Sequence, residues 1–153
     1  MAARPPSPKG WWRTTALALG VASAIIATPF EATAAPTARE QRLLHMVNHV
    51  RHARGLSPLA FRDNLARMAE RHSRRMANSQ LLFHHPCLSC RFPSGSWRAL
   101  AENVGAAGNV RRIHRMMMES DGHRGNILGP FDAVGIGVVK RGPMYWVTEI
   151  FFA

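Results

Sequence analysis

Cysteine is scarce in this 153-residue chain: there are two, Cys87 and Cys90, in a single C-x-x-C. Lysine is nearly absent, with Lys9 and Lys140 alone, so the positive charge is almost entirely arginine. Acidic side chains number nine against 20 basic ones. There is no strand-turn nucleophile motif, no Ser/His/Asp order and no phosphate-binding glycine loop, which leaves serine-hydrolase and P-loop chemistry without support. Internal repeats and low-complexity tracts are missing too, and neither the N-terminal apolar run nor any later segment is long and apolar enough to span a bilayer. No nucleic-acid module can be recognised, so no nucleic-acid partner is expected.

The N-terminus has a pattern of its own. Arg4, Lys9 and Arg13 precede the uncharged run Ala16 to Ala27, and Ala32-Thr33-Ala34 offers a small-x-small cleavage site. That order reads as a secretory signal over residues 1–34, with an uncleaved anchor as the alternative. A single domain is expected over 35–153, in a secreted or envelope-associated protein. Removing residues 1–34 takes away three of the 20 basic and one of the nine acidic side chains, leaving a domain of about +9. Such a domain is drawn to anionic envelope polymers, lipid head groups or acidic ligands. In an exported chain Cys87 and Cys90 suggest a disulfide closing a small loop. A zinc set completed by His84 and His85 is the alternative.

Periodicity predicts a first helix over Thr37–Arg54, with Leu43, Leu44, Val47 and Val50 at helical spacing and Arg39, Glu40, Arg42 and Arg51 between them. A second helix starts with Asp63 as N-cap and ends near Asn78 or Ser79. Leu65, Met68, Ala69, His72 and Met76 fall on one face; Arg67, Arg71, Arg74 and Arg75 crowd the other. Residues 80–103 show no period and read as a long ordered loop. Gly105 to Gly108 reads as a bend, Asn109 as the N-cap of a third helix, and Gly122 as its stop. Val134–Lys140 and Met144–Phe152, joined at Arg141-Gly142-Pro143, predict a β-hairpin. Helices first and an antiparallel pair last indicate an α+β fold.

Four polar residues stand out for chemistry: His85, Glu102, His123 and Glu149. Two histidines and a carboxylate can bind a divalent metal, act as an acid/base pair, or form a buried hydrogen-bonded network, and spacing does not choose among these. His72, on an apolar helix face, reads as a core histidine. Met116, Met117 and Met118 read as helix packing. The arginine stripe reads as a solvated face, with Glu70 pairing Arg74 at i, i+4.

Several stretches, in order, resemble the CAP superfamily of cysteine-rich secretory, antigen 5 and pathogenesis-related proteins, above all its short bacterial members. They are Val47-Asn48, Arg51, Arg54-Gly55-Leu56 and Pro58-Leu59; Ala69, His72 and Met76; Phe83 and His85; Ala101-Glu102-Asn103-Val104; Ser120 to Leu128; and Val134 to Val138 with Tyr145 to Phe151. The resemblance covers about residues 41–152. It implies an α-β-α sandwich with a central antiparallel sheet, and a cleft that usually holds two histidines and two acidic residues. His85, Glu102 and His123 match three of those positions. Ser120 stands where many eukaryotic members carry glutamate, a serine that bacterial members often share. Glu149 stands where bacterial relatives often carry glutamine, and offers a second carboxylate.

The family implies no single activity. The expectation is a non-enzymatic module binding a lipid, a small apolar ligand or an envelope component, with His85, Glu102 and His123 able to hold zinc or another divalent metal. One alternative is a metal-assisted hydrolase of peptide or cell-wall substrates with Glu102 as base. Another is a structural or adhesive envelope protein. A monomer is expected.

Overall fold

The computed structural model describes Met1 and residues 35–153; the export pattern therefore lies, apart from Met1, outside the described residues. Helix α1 (Ala38–His52) opens on a capping box: Thr37 Oγ1 accepts from the Glu40 amide, and the Thr37 amide donates to Glu40 Oε2 at 2.7 Å. A two-residue strand β1 (Ala60–Phe61) leads into helix α2 (Asp63–Ser79), where Arg62 rather than Asp63 is the N-cap. Strand β2 (Leu100–Ala107), helix α3 (Val110–Glu119), the short helix α4 (Asp121–Ile127) and strands β3 (Ala133–Arg141) and β4 (Met144–Phe152) follow. Asn109 caps α3 as its sequence suggests, accepting from the Arg112 amide at 2.9 Å. Gly142 takes φ +55° in the β3–β4 turn, a conformation that glycine adopts without steric cost.

The sheet runs β1-β3-β4-β2. β3, β4 and β2 are antiparallel neighbours, and β1 pairs in parallel with β3 through Ala60 and Phe61. The expected antiparallel sheet is thus a mixed one. Of the bend expected at 105–108 only Gly108 is one; residues 105–107 are strand, and β2 pairs with β4 from Leu100 opposite Phe152 to Ala107 opposite Tyr145. Its small residues hide the two-residue alternation that would have revealed it.

Alternation along the strands divides the core into two layers. Val134 and Ile136 of β3 and Val147 and Phe151 of β4 pack with Leu43 and Val47 of α1, Ile113 and Met117 of α3 and Ile127 of α4. On the other face Ala133 and Ile150 meet Leu65 and Ala69 of α2, while Val104 and Trp146 meet Met76 and Ala77. This is the α-β-α sandwich.

Two of the charged residues between the apolar positions of α1, Glu40 and Arg51, are buried. Arg51, 2 % exposed, donates to Ser57 O at 2.9 Å, Ile127 O at 2.9 Å, Gly129 O at 2.8 Å and Phe131 O at 3.3 Å. Its guanidinium satisfies carbonyls at the end of α4 that have no helical partner. Arg51→Lys keeps the charge but cannot reproduce the fork. It should cost about 2 kcal/mol, read from urea unfolding. Gly122 does not stop α3. That helix ends at Ser120, whose backbone is extended, and Gly122 lies inside α4 beside His123.

Candidate functional site

Gln80 adopts a left-handed conformation, φ 55°, and turns the chain off the end of α2. Residues 81–85 are then held on both sides. His72 of α2 donates Nε2–H to the Phe83 carbonyl at 2.7 Å, and its Nδ1 accepts from Arg75 Nη2 at 2.8 Å. These two bonds define a neutral ring, and burial lowers its pKa in the same sense. The ring stacks on His85, with centroids 3.9 Å apart and planes 23° apart. It also meets Phe83 edge-on at 5.1 Å.

Glu102 of β2 is the fixed point on the opposite side. Its Oε1 accepts from the His85 amide at 2.9 Å and from His84 Nδ1 at 2.8 Å. Its Oε2 accepts from His85 Nδ1. Burial alone would raise this carboxyl's pKa, but the bonds from His85 and His84 outweigh it and hold the group below the ordinary carboxylate range. Glu102 is therefore an ionised acceptor with three donors, a poor general base.

His72, His85 and Glu102 offer donor atoms within 4.8 Å of one another, the spacing of a metal site. The set fits a cation poorly. Both His72 nitrogens are committed, and the Arg75 guanidinium sits against one of them. Glu102 would have to release His84 or His85 to bind. Cys87 and Cys90 are joined as a disulfide, so neither supplies a thiolate.

The remaining candidates lie on the other side of β2. Successive strand residues point to opposite faces, so Asn103 faces away from Glu102. Asn103 Nδ2 donates to His123 O at 3.1 Å and to Glu149 Oε2 at 3.2 Å, and its Oδ1 accepts from Asn126 at 2.9 Å. Glu149 lies fully buried in the sheet, opposite Asn103 and Ile136, with Oε1 unpartnered among the described residues. Burial pushes its pKa up to about 7, against a lesser lowering by the Asn103 bond. It supports the site from below and adds no carboxylate to the cleft.

His123 joins the network through its carbonyl. Its ring pKa is lowered, first by burial and then by the electrostatic effect of His84. The ring and Ser120 lie at a cavity of about 260 Å³, walled by Leu82, Val104, Ile113, Met116 and Met117. β2 is an edge strand, and the cavity follows that edge. Around it Leu82 and Met116 stay 53 % and 46 % exposed.

The structure thus brings His85 and Glu102 together and adds His84 and His72. It ties His123 to them through Asn103 and the backbone. His72 is the core histidine expected, yet it also orients His85 by stacking. Asn103 was hidden because residues 80–103 read as loop, where no alternation separates one face from the other.

Residues 44–151 match the family model described as the cysteine-rich secretory protein family, CAP. The chain is 27 % identical over 126 residues to the uncharacterised Bacillus subtilis protein YkwD, covering 77 % of this chain and 49 % of the relative. It therefore spans about half the length of the curated relative it matches. A cysteine-rich secretory protein of Staphylococcus aureus superposes with a TM-score of 0.62 at 28 % identity, over 73 % of this chain and 37 % of that one. An extracellular SCP-domain protein of Bacillus anthracis shares the fold, with a TM-score of 0.63 at 23 % identity, over 73 % and 39 %. Among the described residues no helix is long and apolar enough to cross a membrane.

Proposed function

Because the chain belongs to the cysteine-rich secretory protein (CAP) family, we propose that it is an exported, non-enzymatic binding module that takes a small apolar ligand into the cavity along the β2 edge. The carrying observation is that cavity. Its walls are aliphatic and thioether side chains, and its polar groups are Ser120 and His123. Few polar groups in an apolar concavity is the pattern of a small-molecule site, and about 260 Å³ suits a short chain or ring. Exposed Leu81, Leu82, Phe83 and Met116 extend the apolar surface outward. The export pattern at residues 1–34 and the extracellular relative support secretion. In this reading the His84/His85/Glu102 cluster holds the Leu82 segment against β2 and needs no metal.

The test is titration of the full chain with Nile red, a neutral apolar probe. Saturable binding is expected. Ser120→Phe, which fills the cavity without removing a side-chain hydrogen bond, should weaken it roughly tenfold. A chelator should leave binding unchanged. Equal binding by Ser120→Phe would remove the cavity as the site, and loss on chelation would put a metal in it.

A further inference from the structure

The arginine stripe of α2 is more than a solvated face. Arg71, Arg74 and Arg75 line a second cavity, of about 550 Å³, together with Arg91 from the disulfide loop and the ring of His85. We infer that this cavity is a binding site for a phosphate group borne by a larger ligand. It is distinct from the apolar cavity and independent of the reading given to it.

Three observations carry the assignment. First, four guanidiniums converge from two segments of chain, and among the described residues Arg74 alone has a carboxylate partner, Glu70. Unpaired like charges around one concavity repel one another, and a dianion relieves that repulsion. Second, parts of the wall are fixed in advance. Arg75 is anchored on His72 Nδ1 at 2.8 Å, and Arg91 closes the 3-10 turn Ser89–Arg91, which the Cys87–Cys90 disulfide ties down. Preorganised donors lose less freedom on binding.

Third, His85 is a buried polar side chain, 3 % exposed, with one ring nitrogen uncommitted. Its Nδ1 donates to Glu102, and its Nε2 has no partner among the described residues while the ring lines this cavity. Glu102 at Nδ1 fixes the ring, so that Nε2 is the nitrogen left for a ligand in this cavity. Arginine forks match phosphate oxygens, and a phosphate monoester carries nearly two charges at neutral pH. The cavity exceeds what inorganic phosphate fills, so the ligand carries the group on a larger body, either a soluble ester or a lipid headgroup.

The experiment measures binding of the full chain to glycerol 3-phosphate and, separately, to phosphatidate-containing vesicles against phosphatidylcholine vesicles. The wild type is compared with Arg71→Gln/Arg91→Gln. A control pair, Arg39→Gln/Arg42→Gln, removes the same charge from α1. Loss of roughly tenfold or more in affinity is expected for the cavity pair and little change for the control. That pattern with glycerol 3-phosphate identifies a soluble ester; with phosphatidate vesicles alone, a headgroup. Equal losses in both pairs would reduce the effect to net charge, and the proposal falls. It falls also if neither probe binds.

Discussion

Gly137→Ala is expected to remove at least about 3 kcal/mol of stability, at the upper end of what overpacking costs. A Cβ at Gly137 would stand 2.1 Å from the Glu70 amide nitrogen and 2.4 Å from the Ala69 carbonyl carbon. At Gly135 it would stand 2.2 Å from the Leu65 carbonyl carbon. These neighbours are helix backbone, so relief requires the whole of α2 to retreat from β3. Retreat would also strain the Ser73 hydroxyl, which bonds the Gly137 carbonyl and Thr148 Oγ1, each at 2.9 Å. The Gly135→Ala/Gly137→Ala double variant should not fold, given total stabilities of about 5–15 kcal/mol for domains of this size. Urea unfolding followed by circular dichroism measures the loss. Gly122→Ala is the internal control: nothing lies within 4 Å of its added Cβ, and it sits in a helix. That variant should be neutral, or more stable by about 0.5–1 kcal/mol. A Gly137→Ala protein as stable as wild type would mean that α2 does not lie this close to the sheet.

The second large effect is a pH dependence centred on Glu149. Its folded-state pKa of about 7 lies above the ordinary value of 4.5. The folded chain therefore holds a proton that the unfolded chain has released between those values. The stability contributed by this group is complete below pH 4.5 and is lost as pH rises through 7. The shift corresponds to about 3 kcal/mol. Glu149→Gln keeps the shape and cannot ionise. It should be within about 1 kcal/mol of wild type at pH 4.5, since either side chain leaves one polar atom unpartnered. At pH 8 it should be the more stable by about 3 kcal/mol. His72, His114 and His123 have lowered pKa values and give slopes of the opposite sign through the histidine range. The wild-type-minus-variant difference cancels them, so it is the quantity to plot. A difference that does not change between pH 4.5 and 8 would mean that Glu149 is solvated or paired in the folded chain.

Helices α1, α2 and α3 and the β3–β4 hairpin were legible because their apolar residues recur at 3.6 or 2 within a short window. β2 was not, since Gly105, Ala106 and Ala107 carry no alternation and its partner β4 follows only after α3, α4 and β3. The family resemblance located His85, Glu102 and His123. It could not tell that strand alternation would set Glu102 and Asn103 on opposite faces, which decides what each histidine can touch. Arg71 and Arg91 are separated in sequence by a turn and a disulfide loop, so their shared cavity exists only in the fold. The VGIGV pattern was plain as a motif, yet its cause is tertiary. Gly135 and Gly137 are small because a helix backbone lies against them, and no local propensity records that.

Arg51 has a consequence in time as well as in stability. Its carbonyl partners at Ile127, Gly129 and Phe131 lie 76, 78 and 80 residues further along the chain. Closing so large a loop is entropically costly, and contacts of such separation form late. The guanidinium should therefore contribute little to how fast the chain folds and much to how slowly it opens. A slow opening rate limits how often the unfolded chain is exposed to proteases, and so extends its working life.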